Sequence, residues 1–289
     1  MMEWINEGNI LVVGLGLMGG SYAKVLSRMG YHVVAIDRNE DSIAYAIEEG
    51  IIENGATYPD EKLIASADCI IFALYPKIFV EWIKENQKFF KPGIFITDVT
   101  GVKGSVVYDV QSVLRDDVEF IAAHPMAGRE VYGVRNADEH MFHDANYIVV
   151  PTEKNSKEAI EWCKTLGHIL GTRRVSVLSP EEHDAMIAYV SQLTHCIAVS
   201  LMTCNDNPHL VDYTGDSFRD LTRIARINED MWSELFFMNK ELLVKEMGEF
   251  INELSTIKEL IENEDEETLK EKMRLSTSRR ALFNKPEKR

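Results

Sequence analysis

Short apolar runs alternate with amphipathic stretches along the first two thirds of the chain. The runs at 10–13, 32–36, 69–74, 94–98, 119–123, 146–150 and 173–178 have strand length, and most are predominantly apolar. That pattern predicts strands buried on both faces. Helical periodicity fills the gaps at 17–29, 40–49, 77–90, 102–114 and 156–170. Alternating strands and helices predict a doubly wound parallel sheet of Rossmann type, an α/β fold with helices on both faces. From Pro180 the strand signal stops, and helical periodicity alone covers 180–204, 217–225, 229–254 and about 267–283. The chain therefore reads as two domains: 1–178, dinucleotide-binding, and 179–289, all-helical, for substrate and dimerisation. Several late helices are apolar on more than one face (Leu235, Phe236, Phe237, Leu242, Leu243, Met247, Phe250), which predicts burial against a second copy in a homodimer. The acidic stretch 262–267 reads as a solvated turn between helices.

The first strand runs directly into Gly14-Leu15-Gly16-Leu17-Met18-Gly19, a helix follows, and the second strand ends on Asp37. Strand, glycine turn, helix, strand and acid is the order a dinucleotide site requires. Gly14 permits the tight turn, Gly16 lets backbone approach a pyrophosphate, and Gly19 lets the helix pack against the strand. The exposed N–H groups at the helix start, where Leu17 and Met18 stand, then face the phosphates. Asp37 lies 18 residues beyond Gly19, where a carboxylate accepts hydrogen bonds from an adenosine ribose and repels a 2′-phosphate. NAD is favoured over NADP on that ground, although Arg38 beside it is able to pair with such a phosphate.

Charge and cysteine usage narrow the partners. A net charge of −16 argues against nucleic acid and anionic membranes. An anionic substrate must then be held by local arginines against the overall field. Cys69, Cys163, Cys196 and Cys204 form no CxxC pair and no metal-ligand pattern, which fits reduced thiols in a cytoplasmic protein. No signal peptide is visible, and no run reaches the length of a membrane span.

Strands of a doubly wound sheet present ligand-facing residues at their carboxyl ends. Three such ends stand out: Leu74-Tyr75-Pro76, the segment from Asp98 through Thr100 and Gly101 to Lys103, and His124-Pro125-Met126-Ala127-Gly128. Leu74, Tyr75 and Asp98 are candidates for cofactor contact. His124 titrates near neutrality and is able to take a proton from a hydroxyl whose carbon gives up a hydride. The competing reading is a histidine that only caps its strand. In the helical part, His183-Asp184 opens a helix, and Ser191 and His195 share one face of it. Arg219, Arg223 and Arg226 follow on neighbouring faces of a segment expected to be partly buried. A buried arginine needs an anion. That partner is either internal, with Asp220 the nearest candidate, or the substrate.

These residues together resemble the prephenate and arogenate dehydrogenases of tyrosine biosynthesis over essentially the whole chain. The resemblance rests on Gly14–Gly19 with Gly20-Ser21, the 98–103 segment, Ala123–Gly128 with Glu130, His183-Asp184, the 191–195 segment, and 220–225 leading to Met231-Trp232. It implies NAD-dependent oxidative decarboxylation of prephenate to 4-hydroxyphenylpyruvate. Hydride leaves the carbinol carbon for NAD, the hydroxyl proton leaves toward His124, and the ring carboxylate departs as carbon dioxide. By the same resemblance Arg223 binds a substrate carboxylate, His195 anchors the substrate beside Ser191, Glu130 lies near the pocket mouth, and Trp232 lines the pocket. The glycine motif starts at residue 14 and the last helix stops a few residues short of 289. Neither an amino-terminal chorismate mutase domain nor a carboxyl-terminal regulatory domain is therefore expected.

The chain departs from the family pattern at three positions. Many relatives carry a serine at Gly101 whose hydroxyl supports the catalytic histidine; Thr100, one place earlier, or a water is the candidate replacement. Gln192 stands where a histidine is common, and Arg129 where a small hydroxylic residue is common, which adds Arg129 to the candidates for substrate binding. Arogenate as substrate involves the same chemistry. Two further readings compete. One is a hydroxy-acid dehydrogenase with a catalytic lysine on its helical domain. The other is a non-catalytic NAD-sensing protein, toward which Gly101 leans.

Overall fold

The computed structural model describes Trp4 and residues 8–283. They divide into two compact units, Met1–Lys240 and Glu241–Arg289. In the first, a six-stranded sheet is built from β1 (Asn9–Val13), β2 (His32–Ile36), β3 (Asn54–Ala56), β4 (Ala67–Phe72), β5 (Phe95–Asp98) and β6 (Glu119–Phe120). The strand order is β3-β2-β1-β4-β5-β6, and every pairing is parallel. Between the strands run α1 (Leu17–Arg28), α2 (Glu40–Glu48), α3 (Glu61–Ser66), α4 (Pro76–Asn86) and α5 (Gly104–Val113). Alternate residues of a strand serve opposite cores, since Ile10 and Val12 pack on one face of the sheet and Leu11 and Val13 on the other. All four are buried, and each such side chain contributes about 1.5–3 kcal/mol on leaving water. This double burial is why the strands read as unbroken apolar runs.

The parallel sheet ends earlier than the alternation predicts. β7 (Ala122–Pro125) pairs antiparallel with β8 (Asn146–Val150), and β8 pairs parallel with β9 (Arg174–Val177), in a separate three-stranded sheet. The chain changes sheets at Ile121, where the Asp98 carboxylate takes the Ala123 N–H (3.1 Å) that would otherwise continue the ladder. One apolar run, 119–123, thus supplies two strands. β3 and α3 lie in a stretch with no strong periodicity and are additions to the expected set. α6 (Lys157–Ile169) covers the back of β8 and β9.

By compactness, the helices from residue 180 to 238 fall in the first unit, which extends to Lys240. α7 (Pro180–Ile187) starts with a Ser179/Glu182 capping box and Pro180 in its first turn, and a π-helical turn over 188–193 joins it to α8 (Thr194–Thr203). α9 (Leu210–Tyr213), α10 (Asp216–Thr222), a 3₁₀ turn over 223–225, and α11 (Glu229–Met238) follow. The stretch Pro180–Thr203 is long and apolar enough to cross a membrane by length and composition (24 residues, mean hydropathy 1.5 in its most apolar window), contrary to the expectation above. Counting only unbroken apolar runs missed it. Its buried residues include His183, Asp184 and Gln192, all hydrogen-bonded within the unit. Where one helix over 229–254 was expected, Asn239 interrupts it. Its side-chain amide is spent on the Asp184 carbonyl (2.9 Å) and the Gln192 amide oxygen (2.8 Å).

The second unit holds the rest of α12 (Lys240–Glu262) and α13 (Glu266–Ala281), joined by a short turn that Asp265 closes by capping the Thr268 N–H. Lys272 pairs with Glu253 between the two helices (2.7 Å). Val244, Ile251, Leu254, Ile261, Met273 and Leu275 are exposed on it.

Candidate active site

The glycine turn has the geometry its spacing predicts. Gly14 sits at φ +98°, open to glycine at little cost, and a Cβ there would lie 2.5 Å from the Ala73 carbonyl at the end of β4. A Cβ on Gly19 would lie 1.8 Å from the Gly14 carbonyl, so helix and turn touch backbone to backbone. Gly16 caps the helix with nothing within 4 Å of its missing side chain, which leaves space over the N–H groups of Leu17 and Met18. Asp37 follows β2 and accepts the Leu15 N–H (2.5 Å) and the Asn39 N–H (2.8 Å), so its carboxylate is fixed to the turn itself. Arg38 beside it is exposed. Leu74 packs near Gly14, and Tyr75 is partly exposed, its hydroxyl accepting from Asn228 (3.2 Å).

Asp98 does not face this space. It is wholly buried, with its oxygens engaged by the Ala123 N–H, the Thr100 N–H (3.0 Å), the Thr100 hydroxyl and the Lys103 ammonium (2.6 Å). Lys103 is equally enclosed. In place of the candidate cofactor contact, Asp98 forms an internal ion pair with Lys103 and ties β5 to β7 through the Ala123 N–H. Thr100 is likewise committed: its hydroxyl is held on Asp98 and accepts from Lys103 (3.1 Å), so it does not reach His124 in place of the family serine. At Gly101 an added Cβ would meet only Leu235, at 3.4 Å, an ordinary contact.

The partner of His124 is another histidine. His124 stands on β7 next to Ala123, which Asp98 binds at the carboxyl end of β5, two strands from β1 and the glycine turn. Its Nδ1 lies 2.9 Å from Nε2 of His183, and Nδ1 of His183 lies 2.7 Å from Oδ1 of Asp184. His183 is buried and His124 half-buried. Burial is the first cause that lowers the pKa of both rings, that of His124 well below its ordinary value, and Lys103 acts the same way on each, while Asp184 opposes the shift at His183. Sequence reasoning placed His183-Asp184 at a helix start and among the segments of the family resemblance, but gave neither residue a role. The contact spans 59 positions, and nothing local announces it.

A second group lies on α7–α8 and α11. His195 donates from Nδ1 to the Ser191 carbonyl (2.9 Å), a bond made across the π-helical turn, and its ring stacks on Trp232 with centroids 3.7 Å apart. Burial lowers the His195 pKa, with Arg223 acting the same way. Arg223 pairs with Glu130, not with Asp220, and it is exposed, as is Arg219. Arg129 is taken up by Asp138 (3.0 Å). Gln192 donates to the Leu235 carbonyl (2.9 Å) and is buried, an internal brace between π turn and α11. α11 reaches the sheet edge through Glu234, which accepts the Lys77 N–H (2.9 Å). Among the described residues no group of three or more His, Cys, Asp or Glu is placed to hold a metal ion.

A turn shaped for a pyrophosphate, a carboxylate fixed beside it, and a neutral histidine held beside the carboxyl end of β5 define a nicotinamide-dinucleotide-dependent dehydrogenase. Two family descriptions match the chain: "Prephenate dehydrogenase, nucleotide-binding domain" over residues 22–188 and "Prephenate dehydrogenase, dimerization domain" over 179–275. The chain belongs to the prephenate dehydrogenase family. It is 32% identical to the prephenate dehydrogenase of Bacillus subtilis over 271 residues, 91% of this chain and 72% of that protein. It superposes with a TM-score of 0.89 on the crystal structure of prephenate dehydrogenase from A. aeolicus in complex with hydroxyphenyl propionate and NAD+, at 32% identity over 97% of this chain and 99% of the other. Synechocystis arogenate dehydrogenase shares the fold (TM-score 0.81, 23% identity, 96% and 100% covered).

Proposed function

We propose that the protein catalyses the NAD-dependent oxidative decarboxylation of prephenate to 4-hydroxyphenylpyruvate, with His124 as the proton acceptor. The observation that carries this reading is a neutral, half-buried histidine on β7, braced by a second ring and held beside the carboxyl end of β5 by the bond from the Ala123 N–H to Asp98. The turn fits the cofactor: Gly16 leaves open the space a pyrophosphate needs, and Leu17 and Met18 offer the N–H groups at the helix start. When bound, the oxidised nicotinamide accepts hydride from the carbinol carbon, and loss of the ring carboxylate as carbon dioxide aromatises the product.

The chain's own residues position the substrate and move one proton. His124 takes the hydroxyl proton as the carbon–oxygen bond gains double-bond character, which general base catalysis accelerates by about 10²–10⁴-fold. Arg223 holds a substrate carboxylate. Its present partner Glu130 is solvent-screened, so an incoming carboxylate displaces a weak pair. His195 keeps Nε2 available to the substrate because Nδ1 is spent on Ser191, and Trp232 fixes its plane. Asp37 supports NAD over NADP by presenting a carboxylate where a 2′-phosphate would sit. The exposed apolar residues of α12 and α13 support a homodimer, as the name of the second matching family does. Four free cysteines fit a cytoplasmic setting.

Reduced-cofactor absorbance, crossing prephenate and arogenate with NAD and NADP, tests the reading. It predicts the highest rate with prephenate and NAD. A rate confined to arogenate would move the substrate to the amino acid, and no rate in any combination would leave a dinucleotide-binding protein.

A further inference from the structure

We propose that Asp184 and His183 are positioning residues that lock His124 in the Nδ1–H tautomer, leaving Nε2 bare to receive the substrate's proton. The inference rests on the function proposed above for the identity of the proton donor, but the tautomer itself is a property of the free protein.

The argument starts at Asp184. Its Oδ1 accepts the Lys103 N–H (2.8 Å) as well as the His183 ring, and its Oδ2 accepts the Gly104 N–H (2.7 Å). Backbone donors thus occupy both oxygens of the carboxylate, which meets the ring as an acceptor. Nδ1 of His183 must therefore carry a proton. His183 is completely enclosed and close to the Lys103 ammonium, so the ring is neutral and its Nε2 has no proton. That bare nitrogen lies 2.9 Å from Nδ1 of His124, and only a donor satisfies it. His124 thus carries its proton on Nδ1. The remaining nitrogen, Nε2, is an acceptor.

A free neutral imidazole in water favours the opposite tautomer, with Nε2 protonated. In that state His124 would present a proton to a hydroxyl that must lose one. A carboxylate that orients a catalytic ring through Nδ1 is the logic of the Ser-His-Asp triad, here relayed through a second ring. When His124 takes the proton, the hydroxyl O–H bond breaks, the proton joins Nε2, and the new imidazolium finds the Asp184 anion two bonds along the chain.

Asp184 is unusually well anchored for this task. The two amides it accepts stand at the N-terminus of α5, whose own N-cap residue, Lys103, provides no side-chain cap. A Cβ on Gly104 would lie 2.8 Å from Oδ2, so glycine is needed there for the carboxylate to approach. The arrangement also accounts for Gly101. With His183 bracing the catalytic ring from behind, the ring does not depend on a serine hydroxyl at that position.

The test is imidazole ¹⁵N–¹H correlation on the full-length protein labelled in histidine, without substrate. His124 is assigned by its loss in His124→Asn. The wild type is expected to show His124 as Nδ1–H. An Nε2–H signal for that ring would overturn the inference at once. In His183→Phe, which removes both ring bonds, His124 should revert to Nε2–H and turnover should fall about a hundredfold or more, with substrate KM nearly unchanged. In His183→Gln, whose amide oxygen is able to accept from His124, the tautomer and most of the turnover should return. An unmoved tautomer in His183→Phe would also overturn it, and His183→Gln serves where the phenylalanine variant does not fold. A wild type with the Nδ1–H signal but no turnover of prephenate would sink the proposed substrate and leave the relay standing.

Discussion

Arg223 is the residue whose surroundings differ most from expectation. Its segment was expected to be partly buried. Instead the guanidinium is exposed and paired with Glu130, 93 positions away. An exposed pair is worth little to stability, so replacement should act on binding. Arg223→Ala is expected to raise the KM for prephenate about tenfold or more with a smaller effect on kcat, since a charge-assisted bond carries about 1.5–3 kcal/mol. Steady-state kinetics check this, and an unchanged KM would mean that the substrate carboxylate lies elsewhere. Asp37 makes the matching case for the cofactor. Asp37→Ser should lower the NAD-over-NADP ratio of kcat/KM by about tenfold, the scale of one lost hydrogen bond to a charged group. An unaltered ratio would place selectivity on another residue. Both glycine turn and Asp37 were legible because their geometry is local. His183 was not, and the hydroxyl of Thr100 was misread because Lys103, five residues past Asp98, folds back to claim the same carboxylate.

At the scale of elements, the loop after β5 is held by a charge pair with no access to water. Asp98 and Lys103 are both fully enclosed, and burial pushes the lysine's pKa down while Asp98 opposes that shift. Removing one member strands the other, at a cost of about 3–5 kcal/mol. Lys103→Met should therefore shift the urea midpoint well down, and Asp98→Asn added to it should recover much of the loss. An unshifted midpoint would show that the amides around Asp98 suffice alone. The same carboxylate explains why the sequence pattern misplaced an element. An apolar run is equally compatible with one strand or two, and the side-chain acceptor that divides 119–123 lies on β5. Similarly, helical periodicity continues through Asn239, whose bonds to Asp184 and Gln192 depend on tertiary placement. The types of the strongly periodic elements were legible, but the places where a polar side chain redirects the backbone were not.

Across the whole molecule, three histidines are held neutral by burial: His124, His183 and His195. The unfolded chain protonates such rings near pH 6.5, whereas the folded protein does so only at lower pH. The unfolded state therefore binds more protons in that interval. The contribution is complete above about pH 6.5 and declines as the pH falls below it. Relief of repulsion in a chain of net charge −16 acts in the opposite sense. The comparison is thus with His183→Gln, which lacks one of the rings. Between pH 7.5 and 5.5 the wild-type Tm should move downward relative to that of the variant. Parallel melting curves would show that His183 is protonated equally well in the folded state.

The central claim is that His124 performs proton transfer and does not merely shape the site. The decisive measurement pairs NAD binding, by isothermal titration, with prephenate turnover in His124→Asn. The account predicts cofactor affinity close to wild type and turnover lower by at least about a hundredfold. Turnover close to wild type would contradict it and move the proton to another acceptor, with His195, whose Nδ1 is spent on the Ser191 carbonyl, the alternative ring.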